Sequence, residues 1–285
     1  MTRILVTGAS GMLGRQLVPR LRAAGHVVLV HGRTCGDLTG DLSDPRTCDV
    51  LDALGPAVII NLAALTDVDA CEGNADAAYR ANVLVVENLA SWIARSGNCH
   101  LVQLSTDHVY DGSRVHLEND VTIINQYAFS KYAGELAAAT VPSTVLRTNF
   151  FGQTNHPTRK SLSDWIVESL RAQQRISVFT DVYFSPLSMK SLSSLVEQVA
   201  LQQPIGVYNA GSRDGMSKAD LAFRLARAVG LNDTSLERCS RHDVSLLASR
   251  PADMRMDSSR LEGVLGLSLP TLAAEVDTVA ADYAA

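Results

Sequence analysis

Short apolar runs alternate with helical patterns through the first half of the chain. Residues 4–6, 27–30 and 57–61 form such runs, and residues 100–104 and 144–147 continue the series. Continuous apolar runs are typical of parallel strands that are covered on both faces. Strands that alternate with helices indicate an α/β fold. The pattern therefore predicts a Rossmann-type, doubly wound parallel sheet.

The second half of the chain predicts a smaller lobe that is built from separated insertions. No Pro/Gly-rich linker divides the chain. We assign residues 1–148 to the Rossmann domain and expect residues of about 176–210 to complete it. Residues 149–175 and 211–285 are assigned to a C-terminal substrate-binding lobe.

Composition narrows the class of protein. The 285 residues carry a net charge of -5, without the basic stripe of nucleic-acid-binding surfaces. The five cysteines show no Cys-x-x-Cys pair, which argues against disulfides and structural zinc and favours a reducing compartment. The first apolar run is too short for a signal peptide, and none approaches the roughly 18 residues of a membrane span. We expect a cytoplasmic protein with no nucleic-acid partner, no membrane partner and no metal site.

A glycine-rich turn lies between the first strand and the first helix, with the spacing G-x-x-G-x-x-G. Glycine permits a tight turn that brings backbone N–H groups to a pyrophosphate at the helix N-terminus. A flexible glycine turn is the alternative. The residues predicted to bind a nicotinamide dinucleotide here are Gly8, Ser10, Gly11, Met12, Leu13 and Gly14.

The end of the second strand indicates which cofactor is used. The sequence His31-Gly32-Arg33 contains no acid to hold the ribose 2′-hydroxyl. Arg33 could instead pair with a 2′-phosphate, so NADP(H) is favoured over NAD(H), with a solvated arginine as the alternative. An abbreviated third strand follows, where Asp41 is expected to accept from the adenine amino group and Leu42 to pack on the ring.

Small residues follow the fourth strand, where a strand end meets the cofactor. Ala63, Ala64 and Leu65 are assigned to this contact. Asn82 lies within a long helix that is predicted between residues 69 and 97. An asparagine there is either a surface residue or, if it faces the sheet, one that fixes the backbone near the site.

Hydroxyl and cationic side chains converge at the end of the fifth strand. Ser105 and Thr106 lie at its carboxyl end, where open α/β sheets place ligands. Tyr127 and Lys131 are four residues apart in a helix predicted over 127–139, so they share one face. A tyrosine beside a cation is a proton donor or acceptor. The pair is common by chance, but the glycine turn and the strand-end hydroxyls favour a catalytic role.

These residues make the chain resemble the extended short-chain dehydrogenase/reductase family, and within it the dTDP-4-dehydrorhamnose reductases. The resemblance spans essentially the whole chain. The segments that carry it are Gly8-x-x-Gly11-x-x-Gly14, Cys35-Gly36-Asp37 with Asp41, Ala63-Ala64-Leu65-Thr66-Asp67-Val68-Asp69, Ser105-Thr106-Asp107-His108-Val109-Tyr110-Asp111-Gly112, Tyr127-x-x-x-Lys131-x-x-Gly134-Glu135, Tyr208-Asn209-Ala210-Gly211 and Arg250-Pro251.

The resemblance implies hydride transfer to the 4-keto carbon of a nucleotide-linked 6-deoxy sugar. Tyr127 would protonate the developing alkoxide, and Lys131 would stabilise the phenolate and bind the nicotinamide ribose. Thr106 would orient the carbonyl oxygen. Asn82 and Ser105 would contact the cofactor, and a capping role is the alternative for Asp107. The expected substrate contacts are Thr66, Val68, Thr106, Asp107, Asn149, Phe150, Tyr183 and Arg250.

Departures from the family pattern leave the substrate and two other functions open. Asp107-His108 stands where dehydratases carry Asp-Glu, and Phe150 stands where the reductases present a tryptophan. The candidate contacts of the nucleotide diphosphate are Arg159, Lys160 and Arg250, and solvated charge is the alternative for Arg159 and Lys160. The alternatives are an epimerase or dehydratase that retains NAD and a non-catalytic NADP-binding subunit like that of methionine adenosyltransferase. A homodimer is left open.

Overall fold

A computed structural model gives the fold and describes residues 1–154, 156 and 158–284. The strands, in chain order, are β1 (Arg3–Thr7), β2 (Val27–Gly32), β3 (Leu38–Thr39), β4 (Val58–Asn61), β5 (His100–Thr106), β6 (Ser143–Thr148), β7 (Phe150–Phe151), β8 (Ile176–Phe179), β9 (Tyr183–Phe184), β10 (Leu187–Ser188), β11 (Gly206–Ala210), β12 (Met216–Ser217) and β13 (Leu236–Cys239).

The helices cover the sheet and build the second lobe. In chain order they are α1 (Met12–Ala23), α2 (Leu51–Leu54), α3 (Val68–Gly73), α4 (Ala75–Tyr79), α5 (Val85–Ser96), α6 (Gln126–Ala138), α7 (Leu162–Arg171), α8 (Met189–Gln202), α9 (Lys218–Val229), α10 (Ser259–Leu265) and α11 (Leu272–Ala284). None of them, within the described part of the chain, combines the length and the apolar character needed to cross a bilayer.

The central sheet has seven parallel strands in the order β11-β6-β5-β4-β1-β2-β3. The chain moves outward through β2 and β3 on one side of β1, then returns to add β4, β5 and β6 on the other side. The predicted doubly wound sheet is therefore confirmed, as is the abbreviated third strand. In such sheets the ligand crevice lies at the carboxyl ends of the strands where the winding direction reverses, here β1 and β4.

Apolar side chains on the two faces of the sheet enter separate cores. Ile4 and Val6 of β1 pack with α1 and α8 on one face. Leu5 packs with Ile59 and with α5 on the opposite face. This alternation follows from the period of two in a strand, and both faces are apolar because both are covered by helices.

A third apolar core, which joins α7, α9 and α11 to β8, forms the smaller lobe. Strand β8 pairs with β13, outside the seven-stranded sheet. The return of the chain to the sheet therefore begins with α8 at Met189, which corrects the boundary expected near residue 176. Helix α10, which was assigned to the lobe, packs on the sheet core through Leu261 and Leu265.

A buried hydrogen bond connects the late helix α11 to the start of α7. The Tyr283 hydroxyl donates to Asp164 Oδ1 at 2.7 Å. Asp164 also forms a reciprocal capping box with Ser161, the residue before α7. The position of α7 therefore depends on a residue more than a hundred positions later in the chain.

Candidate active site

A cleft of about 330 Å³ opens at the carboxyl ends of β1, β4 and β5. This volume lies in the range of small-molecule sites. Predicted residues that the structure brings together around the cleft are Gly8, Gly11, Met12, Leu13, Gly14, Ala64, Thr66, Val68, Ser105, Thr106, Asp107, Tyr127, Lys131, Asn149, Phe150, Arg159 and Lys160.

The glycine turn forms one wall of the cleft. Gly8 has a φ of +63°, and a Cβ there would lie 2.9 Å from Ala63 N. A Cβ on Gly14 would lie 2.6 Å from Ala9 O. Helix α1 begins after Gly11, and no side chain among the described residues caps it. Its first N–H groups therefore suit a dinucleotide phosphate, which is the group predicted here.

The adenine end of the expected cofactor site differs in part from the prediction. Leu42 is 2% exposed and packs in the core, so little of its side chain is open to the predicted adenine contact. Asp41 is exposed and accepts from Ser43 N at 2.9 Å. Arg33 is exposed. Arg15, which the sequence argument missed, lines a surface depression with Ser10 and the end of β2.

Asn82 holds the loop after β4 instead of facing the cleft. It lies in a π-helical segment, Arg80–Leu84, which interrupts the predicted long helix. Its side chain accepts from Leu65 N at 2.9 Å and donates to Leu65 O at 3.0 Å. It also donates to Ser130 Oγ at 2.9 Å. The expectation that Asn82 fixes the backbone is confirmed, and the direct cofactor contact that was predicted for it stays a prediction.

Tyr127 lies in the first turn of α6, beside the strand-end threonine. Asn125 caps this helix by accepting from Ala128 N at 2.8 Å. Burial raises the pKa of Tyr127, and the neighbouring Thr106 side chain only partly opposes that effect. At neutral pH the phenol therefore holds its proton, as a proton donor must.

Lys131 follows Tyr127 by one helical turn and is anchored to the sheet. Its Nζ donates to Leu104 O at 2.6 Å. Burial lowers the pKa of Lys131 to about 8, against the raising effect of the Glu135 carboxylate. The ammonium is therefore close to its titration range at neutral pH.

Asp107 is buried beside Asn149 at the substrate side of the cleft. Asn149 Nδ2 donates to Asp107 Oδ2 at 2.8 Å. Burial raises the pKa of Asp107 to about 6, while the bond from Asn149 and the charge of Lys218 oppose the rise. Thr106, and not Asp107, caps the short 3-10 turn Asp107–Val109. The capping alternative for Asp107 is therefore wrong.

Two predicted substrate contacts lie outside the cleft lining. The Arg250 guanidinium binds the Asp69 carboxylate bidentately, at 3.0 and 2.9 Å. Tyr183 is 38% exposed, and the Arg255 guanidinium lies 5.2 Å from its ring centroid. Each side chain has an intramolecular partner in this structure.

Comparisons with known proteins place this geometry in a family. The profile of the RmlD substrate binding domain matches residues 1–285. The chain belongs to this family. A dTDP-4-keto-6-deoxy-D-glucose reductase of Streptomyces niveus is 33% identical over 238 residues, which cover 80% of this chain and 79% of that protein.

Solved structures share the whole fold. The dTDP-4-dehydrorhamnose reductase of Clostridium acetobutylicum has a TM-score of 0.88 and 26% identity, with 97% of each chain covered. The dTDP-4-dehydrorhamnose reductase of Bacillus anthracis, solved in complex with NADP, has a TM-score of 0.89 and 23% identity, with 99% of each chain covered. The fold of the RmlD family is thus confirmed for this chain.

Two titratable residues at or near this RmlD-family cleft were missed as site residues. His108 lines the cleft and packs edge to face against Tyr127, with ring centroids 5.3 Å apart. Burial lowers the pKa of His108 to about 3, so its ring is neutral at pH 7. Lys218, at the start of α9, places a positive charge near Asp107 and His108. Its only sequence signal is a position directly after the Ser217 cap.

Proposed function

We propose that the protein reduces the 4-keto group of a nucleotide-linked 6-deoxy sugar with NADPH. The observation that carries this proposal is that Tyr127, Thr106 and Lys131 line the same cleft as the glycine turn. A phenol proton donor beside a dinucleotide site suits carbonyl reduction. The reductase activity in the names of its relatives supports the same reaction.

The cofactor would lie along the glycine turn, with its phosphates at the start of α1. When bound, NADPH supplies the hydride for the carbonyl carbon. Lys131 would hold the nicotinamide ribose, since two of its three ammonium hydrogens remain beyond the bond to Leu104 O. Arg33, together with Arg15, would bind the 2′-phosphate, and this supports NADP(H) over NAD(H).

Tyr127 would deliver the proton to the developing alkoxide. Because burial favours its protonated form, the phenol enters the reaction ready to donate. Thr106 would orient the carbonyl oxygen from beside Tyr127. A positioned acid of this kind contributes about 10²- to 10⁴-fold to the rate.

The substrate sugar would lie against the side of the cleft that contains Asp107. Asn149 and Phe150 follow β6 and line that side with Thr66 and Val68. Arg159 and Lys160 also line the cleft and would bind the nucleotide diphosphate, because guanidinium and ammonium groups suit phosphate oxygens. A cytoplasmic location and a homodimer stay predictions of the sequence.

A panel of nucleotide-linked 4-keto sugars, followed by the loss of reduced-nicotinamide absorbance, tests the proposal. We expect stoichiometric NADPH oxidation with at least one sugar. Tyr127→Phe should lower kcat by at least about 10²-fold and leave NADPH affinity within a few-fold. Tyr132→Phe, on the same helix but outside the cleft lining, is the control and should keep its turnover.

Two results would contradict the proposal. Near-wild-type turnover of Tyr127→Phe would exclude this tyrosine as the proton donor. Substrate conversion without net NADPH oxidation would instead indicate an epimerase or dehydratase. If no sugar is converted and the protein co-purifies with a methionine adenosyltransferase catalytic subunit, the non-catalytic alternative is favoured.

A further inference from the structure

A buried ion pair lies directly behind the candidate active site. The Arg147 guanidinium of β6 binds the Glu135 carboxylate of α6, with Nη2 2.6 Å from Oε2 and Nε 3.0 Å from Oε1. The two side chains are 3% and 2% exposed. A pair this deeply buried is often no more stabilising than apolar residues of similar volume, so stability alone does not explain it.

The ion pair is held from the opposite side by the loop after β5 and by β11. Arg147 Nη1 donates to the Tyr110 hydroxyl at 2.8 Å. That hydroxyl donates to Asn209 Oδ1 at 2.6 Å. With these partners the guanidinium is fixed in orientation, and it fixes the Glu135 carboxylate in turn.

Glu135 has two neighbours in the cleft lining. The Ser105 hydroxyl donates its hydrogen to Glu135 Oε1. Lys131 precedes Glu135 by four residues in α6, so the two share one helix face. Ser105 and Lys131 both line the cleft, whereas Glu135 itself lies behind it.

We infer that Glu135 is a positioning residue for the cofactor, which fixes the Ser105 hydroxyl as an acceptor and keeps the Lys131 ammonium charged. The inference rests on the proposed function only in taking a nicotinamide dinucleotide as the ligand. It assigns to Glu135 no contact with the cofactor or the sugar.

The role of Ser105 as a hydrogen-bond acceptor toward the cleft follows from the single hydrogen of its hydroxyl. A serine hydroxyl has one donor and two acceptor lone pairs, and the Glu135 carboxylate can only accept. Once that bond is made, Ser105 can offer only lone pairs to the cleft. It therefore suits an amide N–H donor, such as the carboxamide of a nicotinamide.

The charge of Lys131 depends on the groups that surround it. Burial lowers the pKa of Lys131 to about 8, and the Glu135 carboxylate acts in the raising direction. The nearby Cys71 thiol of α3 is neutral in this pH range, because burial raises its pKa to about 11. The Leu104 carbonyl of β5 accepts one of its hydrogens, and Tyr127 lies on the same helix. Without the Glu135 charge, Lys131 would lose its proton at a lower pH.

The experiment measures the affinity for NADPH by fluorescence titration across a pH series, which needs no turnover. Glu135→Gln keeps an acceptor for Ser105 but removes the charge. We expect wild-type affinity at low pH and an alkaline loss of binding that begins at a lower pH than in the wild type. The double variant Glu135→Met/Arg147→Met removes the acceptor for Ser105 as well as the charge near Lys131, and it leaves no unpaired buried charge. It should also bind about tenfold more weakly at low pH, the size expected for one hydrogen bond.

The control is Glu275→Gln, which alters a buried carboxylate of α11 that accepts from Ser188 N. It should leave the pH dependence of binding unchanged. A Glu135→Gln profile that coincides with the wild type would overturn the charge role. Wild-type affinity at low pH in the double variant would overturn the Ser105 role. Because the experiment measures NADPH binding, neither result depends on whether the protein reduces a sugar.

Discussion

Replacement of Asp107 by asparagine is expected to stabilise the protein at neutral pH. Asp107 is 1% exposed, and burial raises its pKa from the ordinary value of 3.8 to about 6. The folded state therefore binds this proton more tightly than the unfolded state. The contribution of the protonated carboxyl to the free energy of unfolding is fully present below the ordinary pKa of 3.8, and it is lost as the pH rises through about 6.

The magnitude follows from the size of the rise. One pKa unit corresponds to about 1.4 kcal/mol, so ionised Asp107 destabilises the folded state by about 3 kcal/mol above pH ~7. Asparagine resembles the protonated carboxyl in shape and still accepts the hydrogen bond from Asn149. Asp107→Asn should therefore gain about 3 kcal/mol in the free energy of unfolding at pH ~7.5 and almost nothing at pH ~4.

Urea unfolding, followed by circular dichroism at several pH values, measures this difference. The matched control is Asp257→Asn, since the Asp257 carboxylate accepts from Ser259 N at 2.9 Å and its pKa is lowered. That variant should lose stability at neutral pH and approach the wild type on acidification. If Asp107→Asn were no more stable than the wild type at neutral pH, or equally stabilised at every pH, the burial argument would be refuted.

Two further predictions concern the glycine turn and the ion pair between Arg250 and Asp69. Gly8→Ala should abolish NADPH binding, because the added Cβ would meet Ala63 N at 2.9 Å. It should also lower the free energy of unfolding by more than the ~1–3 kcal/mol of a strained backbone. The control is Gly25→Ala, where φ is positive but the space is open, and it should show only the loss from the strained backbone. Arg250→Met and Asp69→Asn should each lower stability by less than ~1 kcal/mol, since Asp69 is 40% exposed. Their double variant should equal either single one, and additive losses would contradict the pairing.

The sheet could be predicted from the sequence because its strands are covered on both faces. Runs such as residues 57–61 then stay apolar and differ from their polar surroundings. Strand β8 was placed in the Rossmann domain instead of the smaller lobe. Ile176–Phe179 alternates buried and more exposed positions, a pattern that suits a strand in a separate pair as well as one in the central sheet. Its partner β13 is about sixty residues later, and no local pattern specifies that pairing.

In the candidate site, too, patterns within one helix could be predicted from the sequence, whereas contacts between distant segments could not. The spacing of Tyr127 and Lys131 is a property of one helix, so it could be recognised directly. The partner of Arg250 is Asp69, 181 residues away, and sequence reasoning therefore left this guanidinium free for a phosphate. Lys218 was missed for the same reason, since only the folded lobe brings its charge near Asp107.

The bond from Tyr283 to Asp164 has a consequence for biosynthesis. Strands β1 to β6 precede residue 149, so most of the sheet can assemble while the ribosome is still making the rest of the chain. Helix α11 is translated after every other segment of the lobe core. Since Asp164 completes the capping box of α7, and Ser161 and Leu162 line the cleft, this part of the cleft wall acquires its final support last. A nascent chain should therefore gain its dinucleotide turn early and a complete cleft only after α11 has been translated.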